Sequence, residues 1–148
     1  MSAPTLYDFG AGPVPAHRHR NPNGSEGGWV ADTATVHPTA IVAVGACVGP
    51  GARVGAHARI ATSRDCMVLT WGSFAGTAYP VVGDVIVRYG CEVHPLGGWT
   101  DDAIDAMCRR HRPHHAAVYA AVLRAWVALV RATIRPAPAE VGLVQEAK

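Results

Sequence analysis

Arginines are the residues of this chain whose type and spacing most clearly indicate chemistry. Twelve of its thirteen basic residues are arginine, and Arg53 and Arg59 lie six residues apart, at the same position of consecutive hexapeptides. A guanidinium binds phosphate through paired hydrogen bonds and stacks on flat rings. We therefore predict a site for a small anionic molecule, with its contacts among Arg18, Arg20, Arg53, Arg59, Arg88 and Trp99.

Histidine offers a second chemistry, which is proton transfer. His37 and His57 are the histidines inside the repeated part of the sequence, and either residue could serve as a general base. His57 occupies a turn position of its hexapeptide, so we expect its side chain to point into solvent.

Two histidine-rich segments contain ligand types that suit zinc. Segment 111–115 holds three histidines, but Pro113 places them at a helix junction, where side chains are usually solvated. In segment 17–20 histidine alternates with arginine, so a strand would put both imidazoles on one side and both guanidinia on the other. We predict no metal at either segment, and no cofactor.

The elements that would position these groups begin with a period of six. Branched apolar residues recur at Val30, Val36, Val42, Val48, Val54 and Ile60, and alanine keeps the same step from Ala34 to Ala58. Neither the helical period nor the strand period explains this spacing. A coil that turns one corner per hexapeptide does, because the branched side chain points inward and alanine fits at the bend. The pattern resembles the left-handed parallel β-helix of the hexapeptide-repeat family.

This resemblance implies that three hexapeptides complete one triangular coil, so that each residue stacks on the residue eighteen positions later. Val30 would then lie on Val48. The other two stacks would be Val36 on Val54 and Val42 on Ile60. Residues 27–66 amount to about two coils, which are too few to bury their own ends and need caps.

The segments on either side of the repeats are predicted to be such appendages. Residues 1–26, rich in glycine and proline, are expected to form an irregular or extended arm. Residues 67–98 are expected to form a β cap, residues 99–134 a pair of helices and residues 135–148 a tail. The cap strands are predicted at Met67–Trp71, Tyr79–Val82 and Val85–Tyr89, the last of them ending in Gly90–Pro95.

The two predicted helices have different characters. Thr100 is a good N-cap for the first helix, whose residues Ile104, Met107 and Cys108 share one apolar face. The second helix, roughly residues 114–134 and opened by Pro113, is apolar almost all round. Such a helix is either buried or spans a membrane, and two arginines within it make spanning costly. We expect burial between subunits.

Composition limits the partners and the compartment. The formal net charge is +2, which does not favour binding to a nucleic-acid polymer. The four cysteines form no Cys-x-x-Cys pair, and residues 1–6 lack both the basic start and the apolar stretch of a signal peptide. We expect a cytoplasmic protein with reduced thiols.

Most of residues 27–130 also resembles a group of small hexapeptide-repeat proteins from bacteriophages and their hosts. The matching residues are Gly27–Ala31, Arg88–Cys91, Gly98–Thr100, His111 and Tyr119; the chain departs at Arg112-Pro113, where the group often has Gly-Asp. The resemblance implies a homotrimer. For a phage-encoded chain it also implies the host-cell cytoplasm and an anti-defence role, the sequestration of a host immune signal.

We therefore expect a homotrimer that binds a small anionic ligand, with a nucleotide as the expected class and no catalysis. One alternative is a degenerate CoA-dependent acyltransferase with His37 or His57 as its base, because many β-helix proteins are acetyltransferases. Another is a structural trimer without a ligand. A zinc site like that of the γ-class carbonic anhydrases, which share the fold, is rejected because the repeats contain no His-x4-His.

Overall fold

A computed structural model describes residues 3–71 and 74–138 and shows a mainly β protein with two helices after the strands, as predicted. The strands are β1 (Leu6–Asp8), β2 (Pro13–Arg20), β3 (Glu26–Ala31), β4 (Thr35–Val36), β5 (Ile41–Val42), β6 (Cys47–Val48), β7 (Arg53–Val54), β8 (Arg59–Ile60), β9 (Met67–Trp71), β10 (Phe74–Val81), β11 (Asp84–Tyr89) and β12 (Glu92–Pro95). The helices are α1 (Asp101–His111) and α2 (Ala116–Thr133), and single 3-10 turns occupy Ser63–Asp65 and Leu96–Gly98.

The repeats pair in parallel at a spacing of eighteen residues, which confirms the predicted stacking. β3 pairs with β6, β4 with β7 and β5 with β8. Val30 lies opposite Val48, and the same register joins Val36 to Val54 and Val42 to Ile60. The second and third pairs are separate two-stranded sheets, whereas β6 closes a four-stranded sheet in the order β1-β2-β3-β6.

The side chains of the period of six form an apolar core, as predicted. Val42 and Val48 are fully buried, and Val36 is half-buried. The alanines Ala40, Ala46, Ala52 and Ala58 are buried as well. A small side chain suits these buried positions.

The N-terminal segment, predicted as an irregular or extended arm, is extended where it forms β1 and β2. β1 and β2 pair in antiparallel fashion, and β2 continues onto β3. The glycines and prolines of the segment hid the strand pattern, because both residue types are depleted in strands.

A register shift in β2 also overturns the predicted alternation of its histidines. The shift lies between Arg18 and Arg20, opposite β3. His17 is exposed and its Nδ1 lies 2.7 Å from a carboxylate oxygen of Asp32, whereas His19 is buried with its Nε2 2.8 Å from the carbonyl oxygen of Ala40. The two imidazoles therefore do not share a face.

The second sheet has the order β12-β11-β10-β9 and is antiparallel throughout. β9 has its predicted bounds, and β10 is longer than predicted. Residues 90–95 were expected to end the third strand, but Gly90 turns the chain with a φ of 60° and β12 pairs back onto β11. A single glycine at this point is a weak turn signal, which is why the hairpin was missed.

Alternation along β10 and β11 connects this sheet to two cores. Ala78 packs with α1 and α2, whereas the next residue, Tyr79, packs among the repeat valines. In β11, Val87 and Tyr89 belong to the helical core, while Ile86 packs toward the repeats. Because side chains alternate between the faces of a strand, Arg88 shares the repeat-facing side with Ile86.

The helices cover the opposite side of the second sheet. The Thr100 hydroxyl accepts a hydrogen bond from the Ala103 backbone N–H at 3.2 Å, which confirms the predicted N-cap of α1. α2 begins at Ala116, because residues 113–115 form a turn rather than the first helical turn predicted at Pro113. Arg124 joins the two helices through ion pairs to Asp101 and Asp105.

α2 is buried on one side only within the single chain. Leu123 and Val130 are fully buried, while Val118 and Leu129 are 53% and 54% exposed. α2 is long and apolar enough to cross a membrane, a criterion that core helices of soluble proteins also meet.

Candidate functional site

A cavity of about 270 Å³ lies where the second hexapeptide pair meets β11. Its lining consists of Thr35, His37, Arg53, Val54, Gly55 and Arg88. The parallel register sets Thr35 beside Arg53. His37 lies two residues further along the same strand pair, where its backbone N–H donates a hydrogen bond to the carbonyl of Val54 at 2.9 Å. β11 supplies Arg88 from the other side. Arg53 and Arg88, both predicted ligand contacts, are thus brought together.

The cavity is positively charged. Within residues 3–71 and 74–138, neither Arg53 nor Arg88 forms a salt bridge, and no carboxylate lines the cavity. The Nε of Arg88 is buried and has no hydrogen-bond partner in that part of the chain. This nitrogen is shielded from the cavity, so the charge of Arg88 at the cavity wall, rather than its Nε, would attract an anion.

β10 contacts two of the residues that line this cavity. The Thr77 hydroxyl accepts a hydrogen bond from the backbone N–H of Arg53 at 2.9 Å. The Tyr79 phenol packs against Gly55, and burial raises the pKa of Tyr79 above its ordinary value. Tyr79 is therefore neutral behind Gly55, and the positive charge of the cavity comes from the arginines that line it.

The two candidate bases are placed differently. His37 lines the cavity, and its Nδ1 lies 2.8 Å from the hydroxyl oxygen of Thr39, so its Nε2 is the nitrogen left for a ligand. His57 is exposed at a turn with a φ of 63° and does not line this cavity.

Arg59 lies elsewhere, although it shares the hexapeptide position of Arg53. β7 and β8 belong to different sheets, so the shared position faces two directions. Arg59 lines a second cavity of about 160 Å³ together with Asp65 and Arg135. Its Nη1 is buried without a hydrogen-bond partner among the described residues.

The other predicted contacts are used inside the fold. Arg18 lies over the Trp29 ring at 4.8 Å and donates to the carbonyl of Gly27 at 3.2 Å. Arg20 donates to the carbonyl of Gly24 at 3.0 Å. Trp99 is 2% exposed in the helical core, so its ring is not available to a ligand.

A second group of side chains, which the sequence analysis did not bring together, lies at the turn between β11 and β12. Cys91, Glu92 and His111 place their ligand atoms within 4.8 Å of one another. His94 and Arg110 also contact the Glu92 carboxylate, at 2.9 and 3.2 Å. Hydrogen bonds from His94 and His111, with a smaller effect of Arg110, lower the pKa of Glu92 to about 2.

This cluster was missed because twenty residues separate Cys91 from His111. In the sequence His111 is grouped with His114 and His115, but these two are exposed in the turn before α2. The available signal was the spacing of Glu92 and His94, which puts both side chains on one side of a strand.

Comparison with known proteins adds no assignment to this geometry. What the two sites bind is inferred from the side chains that form them. The chain matches no protein-family model, no curated protein and no solved structure.

Proposed function

We propose that the protein is a homotrimer of short left-handed β-helices that binds a small anionic molecule, with a nucleotide as the expected class. The observation that carries this proposal is the convergence of Arg53 and Arg88 on one cavity without acidic neighbours among the described residues. Two guanidinia that approach from different strands suit the oxygens of a phosphate group.

The cavity lining supports a phosphate group with further polar contacts. The Thr35 hydroxyl and His37 Nε2 add hydrogen-bonding groups beside the arginines. A volume of about 270 Å³ is small for a whole nucleotide, since ligand pockets usually measure about 300–1,000 Å³. We infer that the phosphate enters the cavity and the base lies at its mouth, where a neighbouring subunit would complete the site.

The eighteen-residue register supports the β-helix. Three parallel pairs follow one another along the chain, and each pair joins residues eighteen positions apart, the length of one coil in such a β-helix. The β-helix would have these pairs as its three faces. The trimer is supported by α2, whose outer side leaves Val118 and Leu129 about half exposed.

The biological role follows from the resemblance to phage and bacterial hexapeptide-repeat proteins. A trimer that binds a nucleotide without cleaving it would sequester that nucleotide. In a phage-infected cell, a host immune signal is the expected target.

Calorimetry with a panel of nucleotides, inorganic phosphate and acyl-CoAs tests the anion site. Arg53→Ala and Arg88→Ala should each weaken nucleotide binding about ten- to a hundredfold, because a hydrogen bond to a charged group contributes about 1.5–3 kcal/mol. Arg109→Ala is the matched control, since Arg109 is exposed on α1 and does not line the cavity. Equal affinity in all three variants would remove the cavity from the proposal.

A degenerate acyltransferase is the second candidate, and the position of His37 in the arginine cavity is the observation that favours it. In that case His37→Ala would abolish turnover of an acyl-CoA while leaving its affinity nearly unchanged. Native mass spectrometry of the purified protein separates the alternatives: retained nucleotide supports the binder, and retained CoA supports the enzyme. A bare trimer that also binds none of the panel would be structural.

A further inference from the structure

The group at the β11–β12 turn brings together three different ligand types. Cys91 and Glu92 lie in the turn and at the start of β12, and His111 is the last residue of α1. The Nε2 of His111 lies 4.0 Å from the Sγ of Cys91 and 3.3 Å from a carboxylate oxygen of Glu92. Cys91 and His111 are exposed, so an ion could reach the group from solvent.

These distances are close to those between ligands on a tetrahedral zinc ion. Bonds of about 2.0–2.3 Å at tetrahedral angles put neighbouring ligand atoms roughly 3.3–3.6 Å apart. The separation of His111 from Glu92 already has this value, and that of His111 from Cys91 exceeds it by a few tenths of an ångström. The Sγ of Cys91 and the Glu92 carboxylate lie within 4.8 Å of each other, so the exposed Cys91 side chain would have to approach Glu92 by up to about 1 Å.

The geometry differs from that of a cysteine nucleophile with a histidine base. In such an arrangement one imidazole nitrogen faces the sulfur and the other nitrogen faces the orienting carboxylate. Here the same nitrogen of His111 faces both Cys91 and Glu92. Three ligand atoms this close together can meet on one ion.

The surroundings hold the carboxylate in place. The Nε2 of His94 lies 2.9 Å from the other carboxylate oxygen of Glu92, and ligating carboxylates are usually hydrogen-bonded in this way. Arg110 also contacts the oxygen that faces His111, at 3.2 Å, but its side chain is 56% exposed and can turn into solvent.

We propose that Cys91, Glu92 and His111 bind a zinc ion, with a fourth position open to solvent. Thiolate, imidazole and carboxylate together suit Zn²⁺ better than Mg²⁺ or Ca²⁺, which prefer oxygen ligands alone. His94 is a positioning residue that orients Glu92. The site takes only His111 from the histidine segment 111–115, for which no metal was predicted, and it is independent of the anion cavity.

Cobalt and zinc titrations of chelator-treated full-length protein test the site. One equivalent of Co²⁺ should produce a thiolate-to-cobalt charge-transfer band, and addition of Zn²⁺ should displace the Co²⁺ and remove the band. Cys91→Ser should abolish the band, and His111→Ala should abolish binding of the first equivalent. His94→Ala should weaken binding about ten- to a hundredfold. The controls are Cys47→Ser and His114→Ala, which alter a thiol and a histidine outside the group.

Alkylation of the unaltered protein gives a second readout that needs no variant. Because a metal-bound thiolate is shielded, one equivalent of Zn²⁺ should protect Cys91 from iodoacetamide, as peptide mass spectrometry would show. Three results would each overturn the proposal. The first is the absence of a charge-transfer band, and the second is Zn²⁺ binding that is equal in Cys91→Ser and in the unaltered protein. The third is alkylation of Cys91 that Zn²⁺ does not slow.

Discussion

Gly55 and Tyr79 approach so closely that no side chain fits between them. A Cβ atom at Gly55 would lie 2.3 Å from the phenol oxygen of Tyr79 and 3.2 Å from its ring. Tyr79 is 5% exposed and packs among the repeat valines, so its ring has little room to move away. Through this contact the second sheet packs against the repeats, beside the arginine cavity.

Gly55→Ala should therefore destabilise the fold by about 1–3 kcal/mol, the usual cost of overpacking a core. Gly49 occupies the same position of the preceding hexapeptide, but a Cβ there would meet no atom of the described residues within 4 Å. Gly49→Ala is thus the matched control and should change stability little. The free energies of unfolding are compared by urea titration.

A double-mutant cycle separates the clash from other effects. Removal of the phenol oxygen in Tyr79→Phe relieves the closest contact and also removes its hydrogen bond with the Gly55 backbone. Tyr79→Phe therefore has a cost of its own, but the double variant should lose less stability than the sum of the two single variants. Equal losses in Gly55→Ala and Gly49→Ala would show that Tyr79 does not hold this position closed.

Val48→Asp should cost several kcal/mol, because it places an unpaired carboxylate in an apolar core. Val48 is fully buried opposite Val30, whereas Val44 is 58% exposed in the neighbouring hexapeptide. Val44→Asp makes the same chemical change on the surface and should be nearly neutral. If both variants melt like the unaltered protein, the period of six does not mark the core.

The period of six was a strong signal because the same buried position recurs in each of several hexapeptides. It predicted the eighteen-residue register, and the parallel pairing of Val30 with Val48 confirms it. The hairpin at Gly90 is marked in the sequence by one glycine only, and the strand β2 contains prolines, which are rare in strands. Local sequence describes such features weakly, since tertiary pairing decides them.

The site was predictable only in part, for a related reason. Residue type suggested that Arg53 and Arg88 bind an anion, but their meeting depends on which face of β11 turns toward the repeats. Trp99 was also suggested by residue type, but it is not at the site, because its indole N–H donates to the Val87 carbonyl at 3.0 Å inside the core. Composition gives the chemistry available to a residue, and long-range packing decides whether a ligand can reach it.

Cys66 should resist alkylation far into the alkaline range. Burial, with smaller effects of Cys47 and Asp65, raises the pKa of Cys66 to about 12. Since the thiolate is the nucleophile, roughly one molecule in ten thousand would be reactive at this position at pH 8. A pulse of iodoacetamide followed by peptide mass spectrometry should label the exposed Cys91 first, and the rate at Cys66 should rise about tenfold per pH unit.

The same raised pKa makes stability depend on pH. Between about pH 9 and pH 12 the unfolded chain loses this proton while the folded protein retains it, so the free energy of unfolding falls as the pH rises. Cys66→Ala should remove that part of the slope. Labelling of Cys66 as fast as of Cys91 at pH 8 would contradict the burial of its thiol.

The outer side of α2 provides the test of assembly. Val118 and Leu129 lie eleven residues apart, about three helical turns, so they share one exposed stripe. Val118→Glu combined with Leu129→Glu should convert the proposed trimer to a folded monomer, as measured by sedimentation equilibrium and circular dichroism. Point substitutions are preferable to removal of the helix, because Leu123 and Val130 belong to the chain's own core.

Leu6→Glu combined with Val44→Glu makes the same change at exposed residues of other elements and should leave the oligomer intact. A trimer that survives the α2 substitutions would mean that another surface joins the subunits, and recovery of the unaltered protein with membranes would favour a spanning helix instead.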